Sequence, residues 1–363
     1  MITPRWLQVA MGLLPVLCLV AGSLYLNPGA TAQNRQPVTG LNASAHFTAG
    51  YYTGSVACKP CHPAEFSAQS GSHHANTLHT AATLEQSGIA PPTGPIAGTP
   101  YYIEKRAGEY RFCSILPGKR ALSAPIEYAL GSGIANITYV GQTSAHSLVE
   151  FRMSYNPGQH RWYITPGQET FADLELGAKH LPGIARRCVA CHSDAVSPSS
   201  RRPVPGGEGV RCEACHGPGG AHVANRSGGS VKNDIVGWKQ LTPHEKNQRC
   251  GTCHRNSSDI ALAGLDSINT ARFQPYGIEL SKCYKTTGGG ISCVTCHDPH
   301  TDASHNRASY AAKCNSCHGT LPNQKKCTVK PTGDCIPCHM PQRKVLPGTE
   351  IPLTMTDHRI WRR

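Results

Sequence analysis

Seven times in this 363-residue chain a Cys-x-x-Cys pair is followed at once by histidine. The sets are Cys58/Cys61/His62, Cys188/Cys191/His192, Cys212/Cys215/His216, Cys250/Cys253/His254, Cys293/Cys296/His297, Cys314/Cys317/His318 and Cys335/Cys338/His339. Two thiols at this spacing can form thioethers to the two vinyl groups of one haem, and the next residue then reaches the iron as its proximal ligand. A zinc ribbon combines two such pairs in one tetrahedral site and needs no histidine after each, and seven is an odd number of pairs. A secreted disulfide framework predicts irregular spacings instead of one repeated pattern. The sequence therefore calls for seven covalently bound haem c groups, each with an iron.

With 37 Gly, 28 Pro, 6% aromatic and 39% hydrophobic residues, the polypeptide alone would bury a poor core. About 47 residues of the exported chain are available per haem, too few for a separate domain around each. The haems must supply the core. Residues 188 to 339 carry six of the seven motifs, with successive first cysteines 24, 38, 43, 21 and 21 apart, so these haems are expected nearly in contact.

Haem attachment of this kind requires export, which leads to the N-terminus. Arg5, an apolar stretch from Trp6 to Leu26 and Ala30-Thr31-Ala32 read as a signal peptide over residues 1–32 with a mature start at Gln33. The apolar run is also long enough to act as an N-terminal anchor if it is not cut. Cys18 follows Leu17, too large for lipoprotein cleavage, and reads as a passive hydrophobe. The expected location is periplasmic or extracellular, with membrane contact only through an uncleaved leader. The formal charge of +13 does not point to nucleic acid, because the haems change the sum. Propionates make each ferric haem about −1 and each ferrous haem about −2, leaving the mature protein at roughly +5 oxidised and −2 reduced.

Residues 33–92 form an N-terminal segment with the first haem, ending in the Gly/Pro-rich stretch Gly88 to Pro100. A β-rich insertion is expected over residues 93–170, where no haem motif occurs. Tyr101 to Arg106 and Glu109 to Ile115 flank Ala107-Gly108, and Ser147 to Tyr155 and His160 to Thr165 flank Asn156-Pro157-Gly158-Gln159, two hairpin signals. Residues 171–363 read as a six-haem domain of short helices and loops. Thr242-Pro243-His244-Glu245 is a capping box with proline at the first helical position, predicting a helix into Cys250. The fold class expected is mainly α with extensive loops, haem-cored, with a small antiparallel β insertion.

Gly207-Glu208-Gly209-Val210-Arg211 before Cys212, and His216-Gly217-Pro218-Gly219-Gly220-Ala221-His222 after it, resemble multihaem c-type cytochromes of the doubled Cys-x-x-Cys-His kind. That group is similar in haem packing to the tetrahaem electron acceptor of hydroxylamine oxidoreductase. Phe273-Gln274-Pro275-Tyr276, Asp298-Pro299-His300, His339-Met340-Pro341 and Asp357-His358-Arg359 carry the same resemblance. It implies a haem-cored fold, export and electron transfer. Pentahaem nitrite reductases bind their catalytic haem through Cys-x-x-Cys-Lys, a motif this chain lacks.

An iron that only passes electrons has both axial positions filled by protein, whereas a catalytic one keeps a position open. Outside the motifs, His222, His300, His74 and His358 are the leading distal ligands, followed by His305 and His180. His73 and His79 are weaker candidates, His244 reads as a first-turn helix residue, and His46, His146 and His160 read as surface groups. Outside the leader only Met153, Met340 and Met355 could compete, and Met340 directly follows a proximal histidine and is badly placed for that haem, so bis-histidine ligation is expected at most sites. Similar chains carry both Cys283 and Cys327, which implies a disulfide between them; buried free thiols are the alternative, and Cys113 is left unpaired.

The leading function is electron transfer along a chain of haems between redox proteins: other cytochromes, a quinol-oxidising membrane complex or a terminal reductase. Two alternatives stand beside it. One is an oxidoreductase acting on nitrite, hydroxylamine or a sulfur compound at one five-coordinate haem, and the other a filament-forming extracellular conductive cytochrome. No catalytic residue is assigned, and the chain reads as a carrier more than as an enzyme.

Overall fold

The computed structural model describes residues 52–144, 147–170, 175–180, 182–197, 202–203, 206–231, 234–263, 272–319, 334–345 and 349–361. The leader, Cys18, His46, His146 and Cys327, with the pairing expected for Cys327, lie outside the described residues.

Residues near the first motif form a 3-10 turn (Ser55–Cys58) and helix α1 (Pro63–Ser70), which starts on a proline suited to a first helical position. A nine-stranded antiparallel sheet follows. Its strands are β1 (Leu78–Thr80), β2 (Gly94–Pro95), β3 (Tyr101–Arg106), β4 (Glu109–Ser114), β5 (Leu122–Leu130), β6 (Ile137–Ser144), β7 (Ser147–Asn156), β8 (Arg161–Ile164) and β9 (Gly177–His180). The order runs β2-β3-β4-β5-β6-β7-β8, with β1 added to β5 and β9 to β7. Both hairpins form where the sequence signals them, with Arg106 paired to Glu109 and Asn156 to Arg161.

The sheet is larger than expected, because strands also form before residue 93 and after residue 170. With 32% helix and 22% strand, the chain combines α and β and does not show the mainly α character expected. Strands β5 and β6 escaped the sequence reading for a local reason. Pro125 lies inside β5 and Gly141 inside β6, both unfavourable in strand interiors. They meet: a Cβ on Gly141 would stand 2.1 Å from the Pro125 carbonyl oxygen, so glycine lets the backbones approach beside a β-bulge.

One face of the sheet encloses an ordinary apolar core, in which Phe112 and Phe151 stack at 4.6 Å and the buried Tyr139 donates to the Ile89 carbonyl at 2.9 Å. A second cluster joins Leu78, Tyr128, Leu130 and Val140 to Val189 and Val196. Val189 belongs to helix α2 (Pro182–His192), so the sheet is the platform on which the second motif sits.

Beyond the sheet the elements are short: α3 (Cys212–His216), α4 (Gly220–Ser227), α5 (Pro243–His254), α6 (Ser257–Ala263), α7 (Gln274–Leu280), α8 (Lys282–Thr286), α9 (Cys293–Cys296), α10 (Arg307–His318) and α11 (Ile336–His339). A two-stranded ribbon, β10 (Gln342–Lys344) with β11 (Thr354–Thr356), closes the chain. Helix α5 starts on the expected capping box, with Glu245 N–H donating to Thr242 Oγ1 at 3.2 Å and Thr242 N–H to Glu245 Oε2 at 2.7 Å. Among the described residues no helix is long and apolar enough to cross a membrane.

Candidate haem sites

Each motif from the second to the seventh lies on a helix, five of the six ending in the motif histidine, while the first follows the 3-10 turn. What fixes the motifs against one another is a set of buried polar side chains. Glu213, between the two cysteines of the third motif and 1% exposed, accepts from the N–H groups of Thr53 (3.0 Å), Gly54 (2.8 Å) and Gly219 (2.7 Å). It thereby clamps the chain leading into the first motif onto the third. Asp194, just past the second motif, accepts from the N–H groups of Arg211 and Ala214 and from the Ser55 hydroxyl, linking motifs one, two and three. Burial pushes the Asp194 carboxyl up to about 7, against the pull of those donors. Asn247, fully buried on α5, gives its amide to the Ile291 carbonyl at 3.0 Å and accepts from Cys293 N–H at 2.9 Å, fixing the fifth motif against the fourth.

These ties bring thiols of different motifs together. Cys58 with Cys212, Cys191 with Cys253 and Cys250 with Cys293 lie within hydrogen-bonding reach. Cys215 neighbours Cys250, and Cys314 neighbours both Cys296 and Cys335. The hydrogen bond from Cys58 draws the Cys212 thiol down to about 6, while burial pushes Cys188 and Cys314 up to about 11. In space the motifs run one, three, four, five, six, seven, with the second joined at the fourth.

The motifs differ in how far polypeptide encloses them. Cys61 and His62 of the first motif are exposed, as are Cys317 and His318 of the sixth, Cys338 of the seventh and Cys296 of the fifth. The reason lies in the helices that carry them. Among the described residues α10 and α11 bury no side chain at all, and α1 buries only Gln69. His62 caps the start of α1 and is fixed through its backbone, its N–H donating to the Cys58 carbonyl at 2.9 Å. The first, sixth and seventh motifs meet their neighbours through their first cysteines, Cys58, Cys314 and Cys335, while the second cysteine of each faces outward. Such residues remain fit for thioether and iron bonds, but protein alone does not bury them.

Three of the four leading distal histidines face a motif histidine. The ring centroids of His74 and His254 are 5.9 Å apart, those of His300 and His216 6.4 Å, and those of His358 and His297 6.1 Å. Two imidazoles bound on opposite sides of one metal, with each metal–nitrogen bond about 2 Å, put their centroids on the order of 6 Å apart. The residues therefore fit a haem iron between each pair. Burial holds His74, His192, His216, His254 and His297 below the ordinary imidazole range and His358 down to about 4, so each is neutral, as a ligand must be.

Second contacts point the same way. Nδ1–H of His192 donates to the Thr77 carbonyl (3.0 Å), of His216 to Val236 (3.1 Å), of His339 to Trp361 (2.7 Å) and of His358 to Thr356 (2.9 Å). That arrangement leaves Nε2 free for a metal and fixes the ring plane.

The other histidines divide. His222, on α4, has a buried Nδ1 without a hydrogen-bond partner, which marks it as available. His180 instead places Nε2 3.0 Å from Glu150 Oε2 at the sheet edge, and His305 is exposed in the loop before α10. His73 pairs with Asp302 at 2.6 Å, and His79 Nε2 lies 2.9 Å from the Asn76 carbonyl. Among the described residues no group of three or more His, Cys, Asp and Glu converges as a metal cage. Cys113 is buried against the Ser123 hydroxyl at 3.3 Å, and among the described residues neither Cys113 nor Cys283 has a disulfide partner. Glu213, Asp194 and Asn247 were missed by sequence reasoning. The only signal was an acid inside one Cys-x-x-Cys spacer and another right after a motif, and polar residues there are ordinarily solvated.

The family "Cytochrome c554 and c-prime" matches residues 164–217, the stretch holding the second and third motifs. The chain is 25% identical over 202 residues to the multiheme cytochrome MtrA of Shewanella baltica, covering 43% of this chain and 59% of that one. It is 26% identical over 161 residues to the dissimilatory sulfite reductase MccA of Wolinella succinogenes, covering 37% of this chain and 22% of that protein. Thus it spans about three-fifths of the first curated relative and about a fifth of the second. Among solved structures, the outer cell wall cytochrome OcwA superposes with a TM-score of 0.54 at 16% identity, covering 85% of this chain and 79% of that chain. In sequence and in fold the chain is similar to multihaem c-type cytochromes, a likeness that implies covalently bound haem.

Proposed function

We propose that this chain is an exported heptahaem c-type cytochrome that passes electrons between redox partners along closely packed, mostly bis-histidine haems. The observation that carries the reading is the set of three histidine pairs, His74/His254, His300/His216 and His358/His297, each at the spacing of two axial ligands. Haem iron, when bound, supplies one-electron redox chemistry at each site.

The chain's own residues hold, space and shield those sites. The cysteine pairs would hold the haems covalently, and the paired histidines would serve as their protein ligands from both sides, which would keep small substrates off the iron. Glu213, Asp194 and Asn247 hold neighbouring motifs at fixed separation, so the electron route follows the thiol contacts: one, three, four, five, six, seven, with the second as a side branch on the fourth. The outward-facing Cys61 and Cys338 lie at the two ends of that route, where a partner's redox centre can approach. The excess of Lys and Arg offsets the propionates. Exported cytochromes or a membrane complex fit as partners better than nucleic acid, given the near-neutral holoprotein.

Similarity to the sulfite reductase MccA supports a second reading, reduction of a small sulfur or nitrogen oxyanion at one haem with an open position. One experiment separates the two. The first reading predicts a ferric protein dominated by low-spin signals and a ferrous protein that leaves most haems untouched by carbon monoxide, with no turnover of sulfite, nitrite or hydroxylamine. Turnover of any of these would overturn it in favour of the second.

A further inference from the structure

The histidine of the fifth motif is held differently from its counterparts. His192, His216 and His339 all donate Nδ1–H to peptide carbonyls, of Thr77, Val236 and Trp361. The Nδ1 of His297 lies instead 3.3 Å from the hydroxyl of Tyr310, with the two rings 5.4 Å apart in an edge-on arrangement. Among the described residues His297 is the only motif histidine whose Nδ1 has a hydroxyl partner. Its opposite number, His358, donates to the Thr356 carbonyl at 2.9 Å, so the departure lies on the proximal side alone.

A histidine that ligates through Nε2 keeps its proton on Nδ1 and must donate there. A peptide carbonyl is a strong acceptor, and it raises the basicity of the ligand, which favours the ferric iron and lowers the potential. A phenol oxygen accepts more weakly and does less of this. The fifth motif also occupies a special place, because among the described thiol contacts it is the link between the fourth motif, through Cys250 and Cys293, and the sixth, through Cys296 and Cys314. Tyr310 itself belongs to α10, the helix that carries the sixth motif, so the side chain that sets the fifth site comes from the next site along the route.

We infer that Tyr310 is a positioning residue that holds the fifth haem at a higher potential than the carbonyl-held second, third and seventh, making it the electron-collecting step between the two halves of the chain. The inference rests on the electron-transfer reading above and adds to it one site and one residue.

The test is potentiometric titration of the full holoprotein, wild type against Tyr310→Phe and Tyr310→Gln. His358→Met supplies the marker, since a thioether ligand raises the potential of the fifth haem and identifies its midpoint. Tyr310→Gln offers an amide oxygen and is expected to lower that midpoint; Tyr310→Phe removes the acceptor and is expected to raise it; the other six stay in place. If Tyr310→Phe loses haem, the Gln variant decides alone. A marked midpoint that moves in neither variant, moves the same way in both, or moves together with several others overturns the inference. Such a result in a protein that still carries seven haems and low-spin spectra leaves the electron-transfer reading standing, whereas a wild type lacking those properties would sink that reading instead.

Discussion

At the scale of single residues, a few buried groups decide whether the axial pairs form. Gly209 is one of them. Its φ of +81° lies in the left-handed region, and a Cβ there would stand 2.0 Å from the Ala75 carbonyl oxygen. The next residue, Val210, donates its N–H to the His74 carbonyl at 2.8 Å and accepts from the Gln69 amide at 2.7 Å. Gly209→Ala should therefore push the His74 loop away from His254 and convert one low-spin haem to high-spin, read by electron paramagnetic resonance and by new carbon monoxide binding; an unchanged spectrum would contradict the pairing of His74 with His254. Glu213→Gln keeps the shape of the buried clamp but turns an amide donor toward three N–H donors, and an unsatisfied buried donor costs about 1–3 kcal/mol. Denaturant unfolding of the holoprotein should show a loss of that size, and an unchanged midpoint would mean the carboxylate is not what holds the first motif to the third.

At the scale of elements, the parts specified by local chemistry were legible and those specified by distant partners were not. The two hairpins and the capped helix α5 follow from turn residues and a capping box, all within a few positions of chain. Thr242→Ala should cost about 1 kcal/mol in the same unfolding measurement, the worth of one N-cap. Strands β5 and β6 were hidden because Pro125 and Gly141 each argue against a strand, while in the sheet Gly141 lets its strand pass close to the Pro125 carbonyl beside a β-bulge. Histidines were recognisable as candidate ligands, but not the motifs they face: His300 follows the fifth motif and its ring faces that of the third, and His74 follows the first and faces the fourth. His180 was a second-rank candidate, and Glu150 on the neighbouring strand β7 takes its ring nitrogen, a contact set by sheet register and invisible in one dimension. The seven motifs read alike in sequence, yet His62, Cys61, Cys317 and Cys338 face outward, because exposure depends on what packs over a helix and not on the motif itself.

At the scale of the whole molecule, the sheet is a platform and the haem motifs are the line of sites built beside it. On the proposed seven-haem route, which passes through the fifth motif, removing its attachment cysteines with Cys293→Ala and Cys296→Ala should leave six haems but separate the sixth and seventh from the rest. Electrons injected by a photoreductant at the first motif should then fail to reach them within a single molecule, while wild type equilibrates throughout; equal equilibration in both would mean that the route bypasses the fifth motif. The central claim, that all seven motifs carry haem and all belong to one electron-conducting path, is tested most directly by coulometry of the holoprotein adsorbed on an electrode. Integrated charge of seven electrons per molecule, taken up and returned reversibly, is the predicted result. A smaller count in a fully folded protein would contradict it.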